Sequence, residues 1–534
     1  MKTNKLLRTI QLLIWFLELV ALAFTVATVW RMNILPDQYL MILVAAAAAV
    51  WVLTGLLLLP GKTARSGKIR RCAACVLALL VVIGCAVLTT VASDIYETMH
   101  DIVDDPTDDG VYRGVYLRAD DPAQTLADTK HYTFAKVTNY DKANTGAAIV
   151  SIERTVGGKI TVEEFSSVSG MVDALLDGSV DAIILNSAYV SVLEENANYK
   201  GFAEQTKLLC RVKILEEDIP QTTEPTGTEP AGTSPTEDPE LTVPPTMPTI
   251  TMPTIAMPKD ITETPFVIYV SGSDARSSLI QDSRTDVNIL VVVNPETKQV
   301  LLINTPRDYY IPNPAGGGAK DKLTHCGWDG ISNTMQALSD LYGVPIKYYA
   351  QVNFYGFETF IDAIGGVTVY SDYTYMAIDT QIYRGENYLS GYQALCFARE
   401  RTHVPGGDTT RGKHQMRVVK AAIQKMTSST ALITGYADIL DSLSGMFRTN
   451  VSVNEMSHLV KMQLDDMATW EISTYGVKGR GDGSGVMAYT YSAPDEPLWV
   501  LPPDYEAVAH ASMLIEKVVT GGIITEEDLE GPTA

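Results

Sequence analysis

Arginines and aspartates recur in the C-terminal half of this 534-residue chain at points where a strand is about to begin or has just ended. They stand in Ser271-Gly-Ser-Asp274-Ala-Arg276, Arg284-Thr-Asp286, Thr305-Pro-Arg307-Asp308, Arg399-Glu-Arg401 and Gly407-Asp408-Thr-Thr-Arg411, with Gln415 one helical turn further on. A guanidinium stays charged and presents a planar fork of donors, so it binds phosphate through paired, charge-assisted hydrogen bonds. Several together imply a multiply charged ligand, and pyrophosphate fits. Asp274 and Asp286 could supply the one or two carboxylates that Mg²⁺, or Mn²⁺ in its place, takes while phosphate oxygens and water complete its shell. Metal and arginines would then stabilise the charge that develops during phosphoryl transfer. One arginine such as Arg276 is explained equally well by a surface ion pair. Six at separate strand and helix ends are harder to explain that way. Residues 399–420 alone carry six Lys or Arg against two acids in a chain of net charge −22.

The elements that must position these groups are legible as apolar runs. Phe266–Val270, Val287–Val293 and Val300–Asn304 are β-branched and apolar stretches of buried-strand length, separated by polar turns. Asn333–Leu341, Phe354–Ile364 and Arg411–Met426 have helical spacing, with Gly343 and Gly365-Gly366 as stops. Alternating strands and helices predict an α/β/α sandwich with a central mixed sheet, in which functional residues gather at strand ends.

Upstream, residues 9–30, 38–60 and 72–92 are apolar runs, each long enough to cross a bilayer. Lys2, Lys5 and Arg8 precede the first, and Lys62, Arg65, Lys68, Arg70 and Arg71 fill the second short loop, which places the N-terminus in the cytoplasm and everything after Ala92 outside. The expected organisation is three transmembrane helices (1–92), a small α/β accessory domain (93–218), a Pro/Thr-rich linker (219–263), a catalytic domain (264–520) and a tail (521–534). The linker reads as an extended spacer that could reach on the order of 100 Å and give the last domain radial freedom. The acidic balance argues against general nucleic-acid binding, which needs a basic face. Cys72-x-x-Cys75 reads as apolar filler at a membrane boundary, and a Cys326–Cys396 bridge is one of three pairings open to the outer cysteines.

Residues 264–427 resemble the catalytic domain of the LytR-CpsA-Psr family through SGSDAR, SRTD, NTPRD, KDKLTH, YYAQVNFYGFETFIDAIGGVTVY, ALCFARER and GGDTTRGKHQ, in that order. The resemblance implies a multi-pass cell-membrane enzyme with its outer domains facing the wall. Its substrate would be a polyprenyl-pyrophosphate-linked glycopolymer such as teichoic acid or capsule. It would transfer this polymer to peptidoglycan through a phosphodiester bond and release polyprenyl phosphate. Carried over by motif, Arg284, Arg307, Arg399, Arg401, Arg411 and Gln415 would hold the pyrophosphate, with Asp274, Asp286 and Asp408 serving the metal or the arginines. Where the family often has a second basic residue, this chain has His414. Asp286 is a candidate to deprotonate the sugar hydroxyl, and an apolar slot for the lipid is expected beneath Phe354, Phe357, Phe360 and Ile364.

Two other functions share these residues: a lipid-pyrophosphate hydrolase, and a non-catalytic module that binds polyprenyl phosphate. His325, His403 and His414 match no compact zinc-ligand spacing. Gly316-Gly-Gly318 reads as a mobile loop rather than a phosphate cradle.

Overall fold

The computed structural model describes all residues except 1, 60–63, 104–111, 139–140, 188, 191–192, 194–197, 215–259, 274–283, 429–445, 482, 495–496 and 532–534. Three long apolar helices open the chain: α1 (Lys2–Met32), α2 (Asp37–Leu58) and α3 (Ala64–Ile102). Each is long and apolar enough to cross a membrane. α3 runs past the apolar run that ends at Ala92, and its last turns enter the outer part of the molecule. There Met99 and Ile102 are buried among Ile361, Ile364, Val367 and Leu389, and Val103 bridges to Thr449. Lys461 adds a 3.0 Å ion pair to Asp37, at the start of α2. Most of the expected linker lies outside the described residues, but these contacts seat the C-terminal unit on the apolar helices, against the radial freedom expected of it.

Five strands follow: β1 (Tyr112–Arg118), β2 (Thr133–Val137), β3 (Thr161–Phe165), β4 (Ala182–Leu185) and β5 (Thr206–Lys213). They form one sheet in the order β3-β2-β4-β1-β5, parallel at β3-β2-β4 and antiparallel at β4-β1-β5. The apolar stretch around Met171 folds as the Val168–Asp177 helix. Ser167 caps its start and Gly178 ends it at φ 83°, a left-handed conformation that favours glycine.

The predicted sandwich is present in the C-terminal half. β6 (Phe266–Ser273), β7 (Thr285–Asn294) and β8 (Gln299–Asn304) pair antiparallel. After a hairpin of β9 (Tyr310–Pro312) and β10 (Lys320–Lys322) comes β11 (Tyr348–Asn353). Two short pairs, β12 (Val367–Ser371) with β15 (Gly385–Leu389) and β13 (Tyr375–Ala377) with β14 (Thr380–Ile382), precede β16 (Phe447–Thr449) and β17 (Glu471–Gly476). The sheet order is β16-β11-β6-β7-β8-β17, with β11 parallel to β6 and β17 parallel to β8.

The strands are apolar on both sides because both faces are covered. Tyr269, Leu290, Val292, Leu301 and Ile303 meet the Ile331–Tyr342 and Tyr505–Val519 helices on one face. Phe266, Ile289, Val291 and Leu302 meet Met416, Val419 and Ile423 of the Asp408–Ser428 helix on the other. Gly316–Gly318 is the turn of the β9–β10 hairpin, where Gly317 and Gly318 take positive φ and a Cβ on Gly316 would lie 2.8 Å from the Tyr491 ring. Gly316 is thus held against Tyr491, while Gly317 and Gly318 are exposed at the tip. All six cysteines are free, and Cys326 and Cys396 are buried in different apolar clusters.

Candidate phosphate site

Strand direction brings the charged motifs to one edge of the sheet. The ends of β6, β8, β11 and β17 and the start of β7 meet there, as the registers Ser273↔Thr285, Asn353↔Ser273 and Gly476↔Asn304 show. The turn after β8 is held by Thr305, whose N–H donates to the Asn288 carbonyl at 2.9 Å and whose hydroxyl lies 2.7 Å from the Tyr342 hydroxyl. The Arg307 carbonyl accepts from Thr324 N–H at 2.8 Å. With its backbone fixed at both ends, Arg307 projects to Asp286, its Nη1 2.8 Å from Oδ1. Its Nε lies 3.4 Å from Asp308 Oδ2, and Lys322 Nζ reaches the other Asp308 oxygen at 2.9 Å.

The Asp408–Ser428 helix supplies the second half of the site. It approaches the end of β8 so closely that a Cβ on Gly412 would sit 2.2 Å from Asn304 Oδ1, so glycine is required there. Arg411 Nη2 pairs with Asp408 Oδ1 at 2.6 Å. Electrostatics join the two halves. Burial pushes the Asp286 carboxyl up, but Arg307, Arg411 and Arg284 more than offset this and leave it below its ordinary value. Arg411 lies below its ordinary value because of burial, with Arg307 and Arg401 repelling it and Asp408 and Asp286 only partly compensating. An incoming anion would relieve that repulsion, which is how an arginine cluster selects a multiply charged phosphate.

The structure therefore gathers Arg284, Asp286, Arg307, Arg401, Asp408 and Arg411. Arg399 is exposed and lies over the Phe354 ring, 4.5 Å from its centroid. Gln415 is buried and donates to the Ala398 carbonyl at 3.4 Å. Asp274 and Arg276 lie outside the described residues. Among the described residues there is no cluster of three or more metal-ligating side chains. Asp286 nevertheless retains capacity for a cation, because Arg307 and Thr324 both use Oδ1 and Oδ2 makes no hydrogen bond among the described residues. Ile364 lies in a packed apolar cluster rather than an open slot, with Phe357 and Phe360 at its margin and the end of α3 packed into it, and Phe354 lies under Arg399.

His414 faces away from the arginines. It is fully buried, its ring stacked 4.0 Å from Phe397, with Nδ1 3.2 Å from the Phe397 carbonyl. Burial and the Arg417 charge lower its pKa to about 4. It is neutral at pH 7 and adds no positive charge to the phosphate site. Below pH 6.5 an unfolded chain takes up a proton that the folded one refuses until about pH 4, so stability falls with acidification across that window by roughly 3 kcal/mol in all. His414→Phe should flatten this part of the slope. Denaturant midpoints at pH 7 and pH 5 that differ as much as in the wild type would refute the assignment.

One buried group is only partly legible in the sequence. His325 Nδ1 lies 2.9 Å from Asp321 Oδ1 and 2.7 Å from Ser492 Oγ. The fully buried Asp321 carboxylate also accepts from Lys322 N–H and Ser492 N–H. An acceptor-only carboxylate puts the proton on Nδ1. The Asp321-x-x-x-His325 spacing was available as a signal, but Ser492 lies 167 residues away and completes the arrangement only in the fold.

These features place a cluster of arginines and carboxylates at the sheet edge of an α/β/α sandwich. The LytR_cpsA_psr family model matches residues 248–498. A Bacillus anthracis protein named polyisoprenyl-teichoic acid–peptidoglycan teichoic acid transferase TagU is 30% identical over 232 residues, which is 43% of this chain and 75% of that one. An Enterococcus faecalis protein of the same name is 30% identical over 197 residues, 36% of this chain and 64% of that one. The crystal structure of B. subtilis TagV matches 51% of this chain and 99% of its own at 23% identity, with a TM-score of 0.39. The chain belongs to the LytR-CpsA-Psr family.

Proposed function

We propose that this chain transfers a glycopolymer from a polyprenyl-pyrophosphate carrier to peptidoglycan through a phosphodiester bond and releases polyprenyl phosphate. It does so outside a cell membrane crossed by α1–α3, with the N-terminus in the cytoplasm. The observation that carries this reading is the Arg307–Asp286 pair, with Arg284, Arg401 and Arg411 close enough to shift Asp286 or one another. The transferase names of its relatives support the reaction class.

The arginines bind the two phosphates and hold the reacting phosphorus at the sheet edge. The acceptor hydroxyl oxygen forms a bond to that phosphorus and releases its proton to water, the bond to the polyprenyl phosphate oxygen breaks, and the leaving group departs with the electron pair. Arg307 and Arg411 stay in place as charge shifts to the equatorial and leaving oxygens, so little reorganisation is needed at the moment of reaction. With its carboxyl held low, Asp286 serves as a charge partner for Arg307 rather than as a strong proton acceptor. Asp286 and Asp408, with Asp274, are the carboxylates that would hold Mg²⁺ or Mn²⁺, which when bound supplies a further positive charge to the phosphate oxygens.

The test uses the full chain in a lipid bilayer with a lipid-pyrophosphate-linked saccharide, peptidoglycan fragments and Mg²⁺, analysed by mass spectrometry. A phosphodiester-linked glycan on the acceptor is expected, falling at least about tenfold on chelation and recovering when Mg²⁺ is restored. Polyprenyl phosphate without a modified acceptor would replace transfer by hydrolysis, and intact bound carrier would replace it by a binding module. Transfer that persists in a chelator would remove the metal from the mechanism.

A further inference from the structure

The five-stranded unit closes over one side of the arginine site. A cavity of about 340 Å³ lies between the two units. Tyr189, Leu193 and Tyr199 line it from the first unit, and Trp328, Arg284 and Arg307 from the second. Its size falls within the range of roughly 300–1,000 Å³ usual for small-molecule sites, which often form at domain interfaces.

The wall is fixed in place. Asn186 donates to the Trp328 carbonyl at 2.7 Å, and Arg113 crosses between the units to Asp329 at 2.8 Å. Tyr189 packs against Trp328 with ring centroids 4.9 Å apart, and Trp328 stacks on His325 at 4.0 Å. Trp328 is only 3% exposed, yet its indole Nε1 has no hydrogen-bond partner among the described residues. A buried indole N–H is ordinarily satisfied, and an unmet donor costs about 1–3 kcal/mol. Trp328 lines the cavity, but Nε1 itself has no accessible surface, so the indole acts on a ligand through its packing with Tyr189 rather than through a direct hydrogen bond.

The chemistry of the walls narrows the ligand. Narrow margins of Tyr189, Tyr199 and Trp328, with Leu193, give the cavity an apolar wall, while Lys322 and Ser492 line the same cavity. A polyprenyl chain would strand Arg307 and Lys322 against hydrocarbon, and a bare phosphate has no use for the aromatic wall. A pyranose presents C–H faces to aromatic rings and hydroxyl edges to donors, so it matches both. Because Arg284 and Arg307 belong to the cavity and to the phosphate site alike, the sugar in question is adjacent to the reacting phosphate.

We propose that this cavity is a saccharide subsite completed by the five-stranded unit, which seats a pyranose beside the reacting phosphorus. The proposal rests on the transferase reading for what lies next to it. The sugar belongs either to the donor, as the first residue of the carried glycan, or to the peptidoglycan acceptor, and the experiment separates the two.

Leu193→Trp fills the cavity, and Trp328→Phe removes only the indole and its N–H. Both are made in the full chain in a bilayer. Binding is measured for sugar-free polyprenyl pyrophosphate and for the carrier bearing an N-acetylhexosamine disaccharide, and KM is measured for a peptidoglycan fragment. Leu193→Trp should weaken one saccharide-bearing ligand at least about tenfold, and Trp328→Phe about fivefold, with sugar-free carrier binding within about twofold of wild type. Loss confined to the disaccharide carrier assigns the donor sugar, and loss confined to the fragment assigns the acceptor. Unchanged constants for both ligands in either variant that still binds sugar-free carrier would overturn the subsite, so a misfolded Leu193→Trp leaves Trp328→Phe to decide. Sugar-selective binding by a wild type that transfers nothing would sink the proposed function and leave the subsite standing. Normal transfer by both variants would do the reverse.

Discussion

Arg307→Ala should lower transfer by about 10²–10³-fold, the usual loss when one donor to a developing oxyanion is removed. Arg307 is tied at its backbone by Thr324 and at its side chain by Asp286, so it is already oriented before substrate arrives. Its loss removes two effects at once: a fork aimed at the phosphate, and the charge that does most to hold Asp286 ionised against its burial. Arg307→Lys keeps a positive charge but not the paired geometry and should recover only part of the rate. The reading is kinetic: kcat should fall more than KM rises, because the interaction strengthens as charge develops. A kcat within threefold of wild type, in a variant that still binds the carrier, would take Arg307 out of the reaction.

A second large effect is expected at the contact between the two units. Arg113 is 1% exposed and lies between two buried carboxylates, Asp141 within its own unit and Asp329 of the six-stranded unit. Burial pushes the Asp329 carboxyl up to about 7 even though Arg113 pulls it down, so what charge it keeps depends on the guanidinium. Arg113→Met leaves both acids buried without a counter-charge and should cost about 3–5 kcal/mol in chemical denaturation of the full chain. Replacing Arg113, Asp141 and Asp329 together by apolar residues should restore most of that loss, since the charges are costly to bury in the first place. A single-variant loss below about 1 kcal/mol would mean that water reaches the triad and screens it.

These two arginines also mark how far the sequence could be read. Arg307 was legible because it follows an apolar run of strand length, and a strand end in such a sheet is where ligands bind. β7 and β8 were legible for the same reason: both faces are covered, so their sequences are almost unbroken apolar runs. The edge strands were not. β16 is three residues long, and β17 carries Glu471, Ser473 and Thr474, so neither has a run to detect. Arg399 and Arg401 look equivalent in the sequence, but the helix ends at Arg399, and the chain turns extended at Glu400. That change of conformation sends Arg399 over Phe354 and leaves Arg401 beside Arg411. Arg113 had no signal at all, because its partner Asp329 is 216 residues away and only tertiary structure brings them together.

The passage of α3 out of the apolar layer and into the core of the C-terminal unit sets a working height. From Ala92 to Ile102 a continuous helix rises about 15 Å, and its end is gripped by side chains that also support the phosphate site's own helices. On the proposed topology, the catalytic edge stands on a short, stiff pedestal rather than swinging on a tether. It would then meet its lipid carrier at the bilayer surface and mark only the innermost layer of the wall, with new material carried outward as the wall grows.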